Sequence, residues 1–147
     1  MEKIEQIRNA MKIVDKQMTL KGRSCVVFTK TERETAMSEY RALGNKLLSE
    51  YDRDVNGLAY CERNRREYGN ELLDIEEDCD VEELIGIFKI ANITKFTVSV
   101  SDTSLMTTLA LLDKKGYKPI GMTRINTRYI DFEGNAEKAD AIIMKTK

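Results

Sequence analysis

The chain has 147 residues, of which 24 are Lys or Arg and 25 are Asp or Glu, so its net charge is −1. At 41% apolar and 33% charged residues it has the composition of a folded globular protein, which excludes the disordered class. Histidine is absent, which excludes Ser-His-Asp and Cys-His catalysis and every zinc site that needs a histidine. The lack of a bilayer-spanning apolar run and the three widely spaced cysteines predict a cytoplasmic protein that does not enter membranes.

The first 78 residues carry helical patterns. The first apolar stripe recurs at steps of three and four residues, as on one face of a helix, and consists of Ile4, Ile7, Met11, Val14 and Met18. A cationic last turn and a left-handed stop at Lys21 and Gly22 predict its end. The same stripe also fits a short coiled-coil seam between two copies, but about two heptads favour packing within the domain.

Two more helices are predicted before the middle of the chain. The capping box at residues 31–34 opens the second, residues 52–57 break it, and its inward face holds Ala36, Tyr40, Leu43, Leu47 and Tyr51. The third is predicted from residue 58 to residue 77, with Cys61, Tyr68, Leu72 and Ile75 inward. The apolar run at residues 25–28 fits either a strand or a connector, because its period does not distinguish them.

Residues 79–147 alternate between helix and strand signals. Asp80 followed by Glu83 is an N-cap pattern, and Asn92 suits the left-handed end of that helix; its predicted buried face is Leu84, Ile85, Ile87, Phe88 and Ala91. Residues 96–100 alternate strictly, which predicts a strand with Phe96, Val98 and Val100 on one face. Thr97 and Ser99 then line the other face, either as an open hydroxyl surface or, more commonly, as a half-solvated strand.

A helix and two strands complete the predicted fold. Ser101 or Asp102 caps the helix and Gly116 ends it; its apolar face is Leu105, Met106, Leu109 and Leu112. Strands are expected at residues 120–130 and 141–144 around a turn at residues 131–135. A crossover makes the first two strands of the sheet parallel and a hairpin adds the third.

The predicted fold class is therefore α+β. A helical hairpin or bundle covers residues 1–78, and a small α/β region with a mixed three-stranded sheet covers residues 79–147. The two regions form one compact domain or two closely packed lobes.

The order of elements near the end of the chain resembles the C-terminal part of GNAT acyltransferases. The similar segments are residues 96–100, the helix end Leu-Leu-Asp-Lys-Lys-Gly-Tyr-Lys-Pro-Ile-Gly at residues 111–121, and residues 140–144. The resemblance implies a site for acetyl-coenzyme A. The family holds the pyrophosphate on a Gln/Arg-x-x-Gly-x-Gly/Ala loop, where backbone amides and a helix N-terminus meet the phosphates. The nearest match here is residues 54–59, in which Asp54 replaces the cation or amide and repels phosphate.

A basic cluster with aromatic neighbours occurs late in the front half. Arg63, Arg65 and Arg66 lie between Tyr60 and Tyr68, a pattern that also occurs in phosphate and nucleic-acid contacts. Because the local excess of positive charge is small and the whole chain is slightly acidic, a solvated helix face is the favoured interpretation.

The strongest anomaly is the acidic stretch, residues 71–83, which has a net charge of −8, while the segments before and after it carry +3 and +4. No EF-hand spacing is present, so no metal site and no cofactor are predicted. Two interpretations remain, a solvated helix junction and a surface that mimics phosphate towards a basic partner. The candidate partner-binding residues are Glu71, Asp74, Glu76, Glu77, Asp78, Asp80, Glu82 and Glu83.

Three functions are consistent with these patterns. In general type the chain resembles accessory proteins of bacteriophages and mobile elements, which include anti-CRISPR proteins, some with acidic surfaces that enter the DNA-binding site of a nuclease. The leading hypothesis is a non-enzymatic binding protein that inhibits or modulates a basic, nucleic-acid-handling partner. The first alternative is a divergent acyltransferase or coenzyme A binder, and the second is an accessory protein that binds nucleic acid directly.

Overall fold

A computed structural model describes residues 1–24, 28–100 and 102–147 and confirms the α+β class. The chain divides into two compact units, Met1–Arg63 and Asn64–Lys147, and the division falls within the third helix. Residues 25–27 of the predicted apolar run, together with Ser101 and the side chain of Asp102, lie outside the described residues. Within the described part of the chain, no helix combines the length and apolar character needed to cross a membrane.

The first unit is helical, as predicted. It contains α1 (Lys3–Ser24), α2 (Lys30–Glu50) and the first part of α3 (Arg53–Tyr68). α1 and α2 pack together, and the buried apolar side chains are Ile7, Ala10, Ile13, Val14, Leu47, Val55, Leu58, Ala59 and Cys61. Lys3 Nζ lies 2.7 Å from an Asp52 carboxylate oxygen and 2.8 Å from one of Asp54, so one ammonium group ties the start of α1 to the start of α3.

The boundaries of α1 and α2 differ from the prediction. α1 continues through Gly22 to Ser24, since a helical glycine with an ordinary φ costs only about 1 kcal/mol and does not end a helix. α2 begins two residues early because Thr29, not Thr31, is the N-cap, and its hydroxyl accepts from the Glu32 amide at 3.2 Å. The buried stripe of α1 is also rotated from the predicted one, because Ile4 is 40% exposed.

The third helix was predicted wrongly at both ends. It starts at Arg53, so the chain breaks for two residues and Gly57 lies inside the helix. It ends at Tyr68 because Gly69 adopts a φ of +75° and the Asn70 amide donates to the Arg65 carbonyl at 2.9 Å, a left-handed helix stop. Leu72 and Ile75 continue the apolar period past Gly69, and an apolar period by itself does not show where a helix ends.

The second unit contains a four-stranded mixed sheet with the order β1-β2-β4-β3. Its strands are β1 (Asp74–Ile75), β2 (Lys95–Val98), β3 (Tyr117–Ile130) and β4 (Ala136–Thr146), and its helices are α4 (Val81–Ile90) and α5 (Asp102–Lys114). β1 pairs parallel to β2, while β4 pairs antiparallel to both β2 and β3. The sheet therefore has one strand more than predicted, and β4 separates the two strands that were expected to be neighbours.

Three aromatic side chains form the centre of the core of this unit. The rings of Phe88, Phe96 and Tyr117 make two edge contacts with centroids 5.2 Å apart, and all three are nearly inaccessible to solvent. Leu84, Ile85 and Ile87 of α4 are also buried, as predicted, whereas Met106 of α5 is 76% exposed. Met106 was therefore wrongly assigned to the core, since α5 buries a narrower face than its apolar residues allow.

Three local signals in this unit were predicted correctly. Asp80 is the N-cap of α4, and its carboxylate accepts from the Glu83 amide at 3.2 Å. Asn92 has a φ of +57° and Gly116 a φ of +97°, the left-handed geometry that ends helices α4 and α5.

The N-cap of α4 supports a direct stability test. Replacing Asp80 with alanine leaves the Glu83 amide without its acceptor, so Asp80→Ala is expected to lower the free energy of unfolding by about 1 kcal/mol in urea denaturation. Asp80→Asn keeps an acceptor and is expected to cost a few tenths of a kcal/mol at most. Equal losses in the two variants would show that charge, not the cap, is responsible.

Candidate functional site

The acidic stretch is not one surface, because strand β1 divides it among different environments. Glu71 lies in a bend and is exposed, and Asp74 lies in β1. Residues 76–80 connect β1 to α4, and we call residues 76–82, which include the first two residues of α4, the acidic turn. Glu83 follows in the first turn of α4 and is partly buried. The eight predicted residues are thus brought together along the chain but not into a single contact surface.

Asp74 is a half-buried carboxylate. Its register partner on β2 is Thr97, whose hydroxyl donates to Asp74 Oδ1 at 2.6 Å, and the Ser99 hydroxyl donates to Asp74 Oδ2. Burial raises the pKa of Asp74 to about 6, against the lowering effect of the two hydroxyl donors. Asp74 therefore stabilises the junction of β1 and β2, and both of its carboxylate oxygens already accept hydrogen bonds within the protein.

These contacts also correct the prediction for Thr97 and Ser99. Thr97 is 1% exposed, so β2 is not the half-solvated strand that its alternation favoured. The sequence pattern does not show that a carboxylate from another strand would accept from both hydroxyls.

Glu76 connects the acidic turn to the hairpin of β3 and β4. Burial raises the pKa of the Glu76 carboxyl, while the Arg128 guanidinium and a hydrogen bond from Asn64 act in the opposite direction. Arg128 lies near the end of β3, so Glu76 and the end of the hairpin are within electrostatic reach of each other. The expected acidic helix C-terminus is absent, because α3 ends eight residues before Glu76.

The other carboxylates of the acidic turn face solvent. Glu77, Asp78, Asp80 and Glu82 are exposed, and the Cys79 amide donates to the Glu76 carbonyl at 3.1 Å, which shapes the turn. Asp80 and Glu82 also lie at the N-terminus of α4, where the helix dipole favours negative charge. The dipole of α4 thus stabilises the negative charges of Asp80 and Glu82, and both side chains remain exposed to solvent.

The β3–β4 hairpin, which carries Arg128, exposes large apolar side chains. The side chain of Phe132 is fully exposed, that of Ile130 is 69% exposed and that of Tyr129 is 56% exposed. The Arg128 guanidinium lies 5.1 Å from the centroid of the Tyr129 ring and donates to its hydroxyl at 3.0 Å. We call Arg128, Tyr129, Ile130 and Phe132 the hairpin tip. Sequence reasoning missed it, although the aromatic residues that flank Asp131 were a signal that could have found it.

A second feature of this unit is a polar pocket with a volume of about 290 Å³. The segment before β1 forms one wall and strands β2, β3 and β4 form the others. Its polar lining includes Asn70, Glu71, Lys95, Arg124, Asn126 and Lys138. None of these except Glu71 was a candidate at the sequence level, because they come from four separate segments of the chain.

The predicted basic cluster is not one site. The Arg63 guanidinium lies 5.6 Å from the centroid of the Tyr60 ring, while Arg65 Nη1 donates to the Asn70 carbonyl at 3.1 Å and supports the end of α3. Each of these two arginines thus has a local structural contact. This arrangement favours the structural interpretation of the cluster over a nucleic-acid contact.

The described residues contain no group of three or more Cys, Asp or Glu side chains arranged to hold a metal ion. The thiol of Cys61 is buried and that of Cys79 is partly exposed. The turn from β1 into α4 is the position where a phosphate would meet a helix N-terminus after a parallel strand. Here Asp78, Asp80 and Glu82 occupy that position and repel anions.

The described chain is thus an α+β protein with a helical first unit and a second unit that contains the sheet. The chain belongs to the family described as Domain of unknown function (DUF7698), whose model matches residues 57–146. The matched region contains the whole sheet, the acidic turn, the hairpin tip and the polar pocket, and it leaves out α1 and α2. Comparisons with curated proteins and with solved structures returned no significant match.

The half-buried Asp74 makes stability depend on pH. Its pKa of about 6 in the folded protein exceeds the ordinary value of 3.8, so the folded state binds the proton more tightly than the unfolded state. Stability from this group is full below pH 4 and is lost as the pH rises to about 6, by roughly 2–3 kcal/mol. Asp74→Asn should remove this component, which denaturation of both proteins across the pH range measures.

A second variant tests whether the hydroxyl donors lower the pKa of Asp74. Ser99→Ala removes a donor to the ionised carboxylate, which raises the pKa of Asp74 further. The loss of stability should then extend to higher pH, and carbon NMR of the aspartate carboxyl should follow it. A stability difference between wild type and Asp74→Asn that stays constant from pH 4 to pH 7 would contradict the assignment.

Proposed function

We propose that this chain is a cytosolic, non-enzymatic binding protein that inhibits or modulates a basic, nucleic-acid-handling partner. The observation that carries the proposal is that Glu76, the first residue of the acidic turn, lies within electrostatic reach of Arg128 in the hairpin tip. The acidic turn exposes carboxylates, and the hairpin tip exposes apolar side chains. Charge and apolar surface side by side are typical of a protein-binding surface, in which an apolar centre is surrounded by polar residues.

The hairpin tip has the chemistry of a binding centre. Tyrosine and arginine are enriched among the residues that dominate binding energy, and the Arg128 guanidinium is already ordered against the Tyr129 ring at 5.1 Å. Because Phe132 and Ile130 are more than two thirds exposed, burial against a partner would remove apolar surface from water. That gain supports a protein partner rather than a bare nucleic acid.

The acidic turn supports the choice of a basic partner. Four exposed carboxylates within six residues, without a cation between them, attract a positively charged surface and repel phosphate. Such charge complementarity mainly accelerates association and selects the partner. A phosphate-binding surface of a nuclease has this charge, which fits an anti-CRISPR-like accessory protein of a phage or mobile element.

The two alternative functions have less support from the geometry. Coenzyme A binding needs a phosphate cradle, and the strand–helix turn where one would lie carries carboxylates. Direct nucleic-acid binding needs a continuous cationic surface, whereas the predicted arginine cluster is divided among separate contacts.

Charge reversal in the acidic turn tests the basic partner. The variant Glu77→Lys, Asp78→Lys, Glu82→Lys leaves Asp74, Glu76 and Asp80 in their structural roles. Partners captured from the host by the wild-type chain are identified by mass spectrometry, and the rates of the leading one are measured at low and high salt. The association rate at low salt should fall about tenfold or more in the variant, and the loss should shrink at high salt.

The control changes charge equally at another place. Glu2, Glu39 and Glu50 are exposed residues of the first unit, and their triple replacement by lysine should leave the association rate within about threefold of wild type. Circular dichroism confirms the fold of both variants. Similar rates for the two triple variants, or captured partners that are not basic, would refute the proposal.

The hairpin tip is tested separately through dissociation. Ile130→Ser with Phe132→Ser removes exposed apolar surface, and the loss of a binding centre costs about 2 kcal/mol or more, so dissociation should accelerate about thirtyfold. Met122→Ser is the matched control, because Met122 is 69% exposed on the same strand but outside the tip. A similar effect from Met122→Ser would exclude a specific role for the tip.

A further inference from the structure

The polar pocket concentrates positive charge. Lys95 from β2, Arg124 from β3 and Lys138 from β4 contribute to its lining, and Glu71 is the only acidic residue among the described lining residues. The lining therefore has a net charge of +2, although the chain as a whole carries −1.

Little in the described protein neutralises these cations. Among the described residues, the Lys95 ammonium group has no ion-pair or hydrogen-bond partner, and Lys138 Nζ donates at 2.8 Å to a neutral group, the Asn126 amide oxygen. Arg124 Nε lies 3.7 Å from Asp140, but both side chains are at least two thirds exposed. Such an exposed ion pair contributes little to stability and leaves the guanidinium available to a ligand.

The wall of the pocket is held in place before any ligand arrives. The Asn70 side chain donates to the Asn126 carbonyl and accepts from the Asn126 amide, both at 2.9 Å. The Asn126 side chain donates to the Tyr68 carbonyl at 2.8 Å. These three bonds fasten the segment after α3 to β3, so a ligand would not have to order this wall.

We propose that the polar pocket binds a small phosphate-bearing anion. A phosphate group carries a charge of about −1.5 to −2 at neutral pH, which matches the excess of +2 better than a monocarboxylate does. Lys95 and Lys138 supply point charges, and the Arg124 guanidinium supplies paired donors that match phosphate oxygens. The volume of about 290 Å³ lies at the lower end of small-molecule sites, and Glu71 opposes a second phosphate, so a monophosphate fits best.

Inorganic phosphate is the probe for this site. Titration is followed by calorimetry and phosphorus NMR at a constant ionic strength set by chloride. The wild-type chain should bind at millimolar concentration or below, and Lys95→Gln with Lys138→Gln should weaken binding about tenfold or more, because two charge-assisted contacts are lost. Lys95→Arg with Lys138→Arg keeps both charges and should retain most of the affinity.

The control removes two cations elsewhere. Lys12 and Lys115 are exposed and do not line the pocket, so Lys12→Gln with Lys115→Gln should bind phosphate as wild type does. No phosphate binding to the wild-type chain at millimolar concentration, or equal weakening in the two glutamine variants, would overturn the proposal. Acetate binding as tight as phosphate would overturn the assignment to a phosphate group. These variants leave the acidic turn and the hairpin tip unchanged, so the result is independent of the proposed protein partner.

Discussion

The pairing of the two-residue strand β1 with β2 is the constraint on which the second unit depends. The pairing places Asp74 opposite Thr97 and Ile75 opposite Val98, with backbone bonds of 2.8 Å from the Thr97 amide to Leu73 and 3.1 Å from the Ser99 amide to Ile75. It partly buries a carboxylate between two hydroxyl donors. A buried charge is costly unless its hydrogen bonds are satisfied, and these two donors reduce that cost.

The same pairing determines what happens to the rest of the acidic stretch. Once residues 74 and 75 are part of the sheet, the chain must turn before α4, and the turn carries the exposed carboxylates. Asp80 caps α4, so negative charge lies where the helix dipole favours it. A continuous helix over the same residues would instead have placed like charges three and four residues apart, which destabilises a helix.

Opposite charges are thus separated within one small unit. The acidic turn exposes carboxylates, which we propose meet a basic protein, while the polar pocket gathers cations from three strands. Both lie in the region that the family model matches. A net charge of −1 conceals this separation, because the charge of −8 on residues 71–83 is nearly cancelled by the +3 and +4 of the segments before and after it.

Local signals in the sequence were sufficient for the fold class and for several helix ends. The Asp80 cap and the left-handed residues Asn92 and Gly116 were predicted correctly, because caps and stops depend on the chemistry of a few neighbouring residues. The buried face of α4 was also predicted correctly, because the spacing of apolar residues along one helix is a local property of the sequence. By contrast, apolar periodicity extended the predicted third helix past Gly69. Leu72 and Ile75 fit the helical period, although Leu72 lies before β1 and Ile75 lies in β1.

Only the tertiary structure decided which polar residues meet. The insertion of β4 between β2 and β3, the approach of Arg128 to Glu76 and the polar pocket all join residues far apart in the chain. No local pattern encodes them, because they depend on strand order and register. The sequence by itself determined the α+β class, the helix caps and the concentration of acid at residues 71–83. The register of β1 against β2 decided that Asp74 accepts hydrogen bonds from Thr97 and Ser99 and that the acidic turn faces solvent, because pairing with a distant strand outweighs local helical preference.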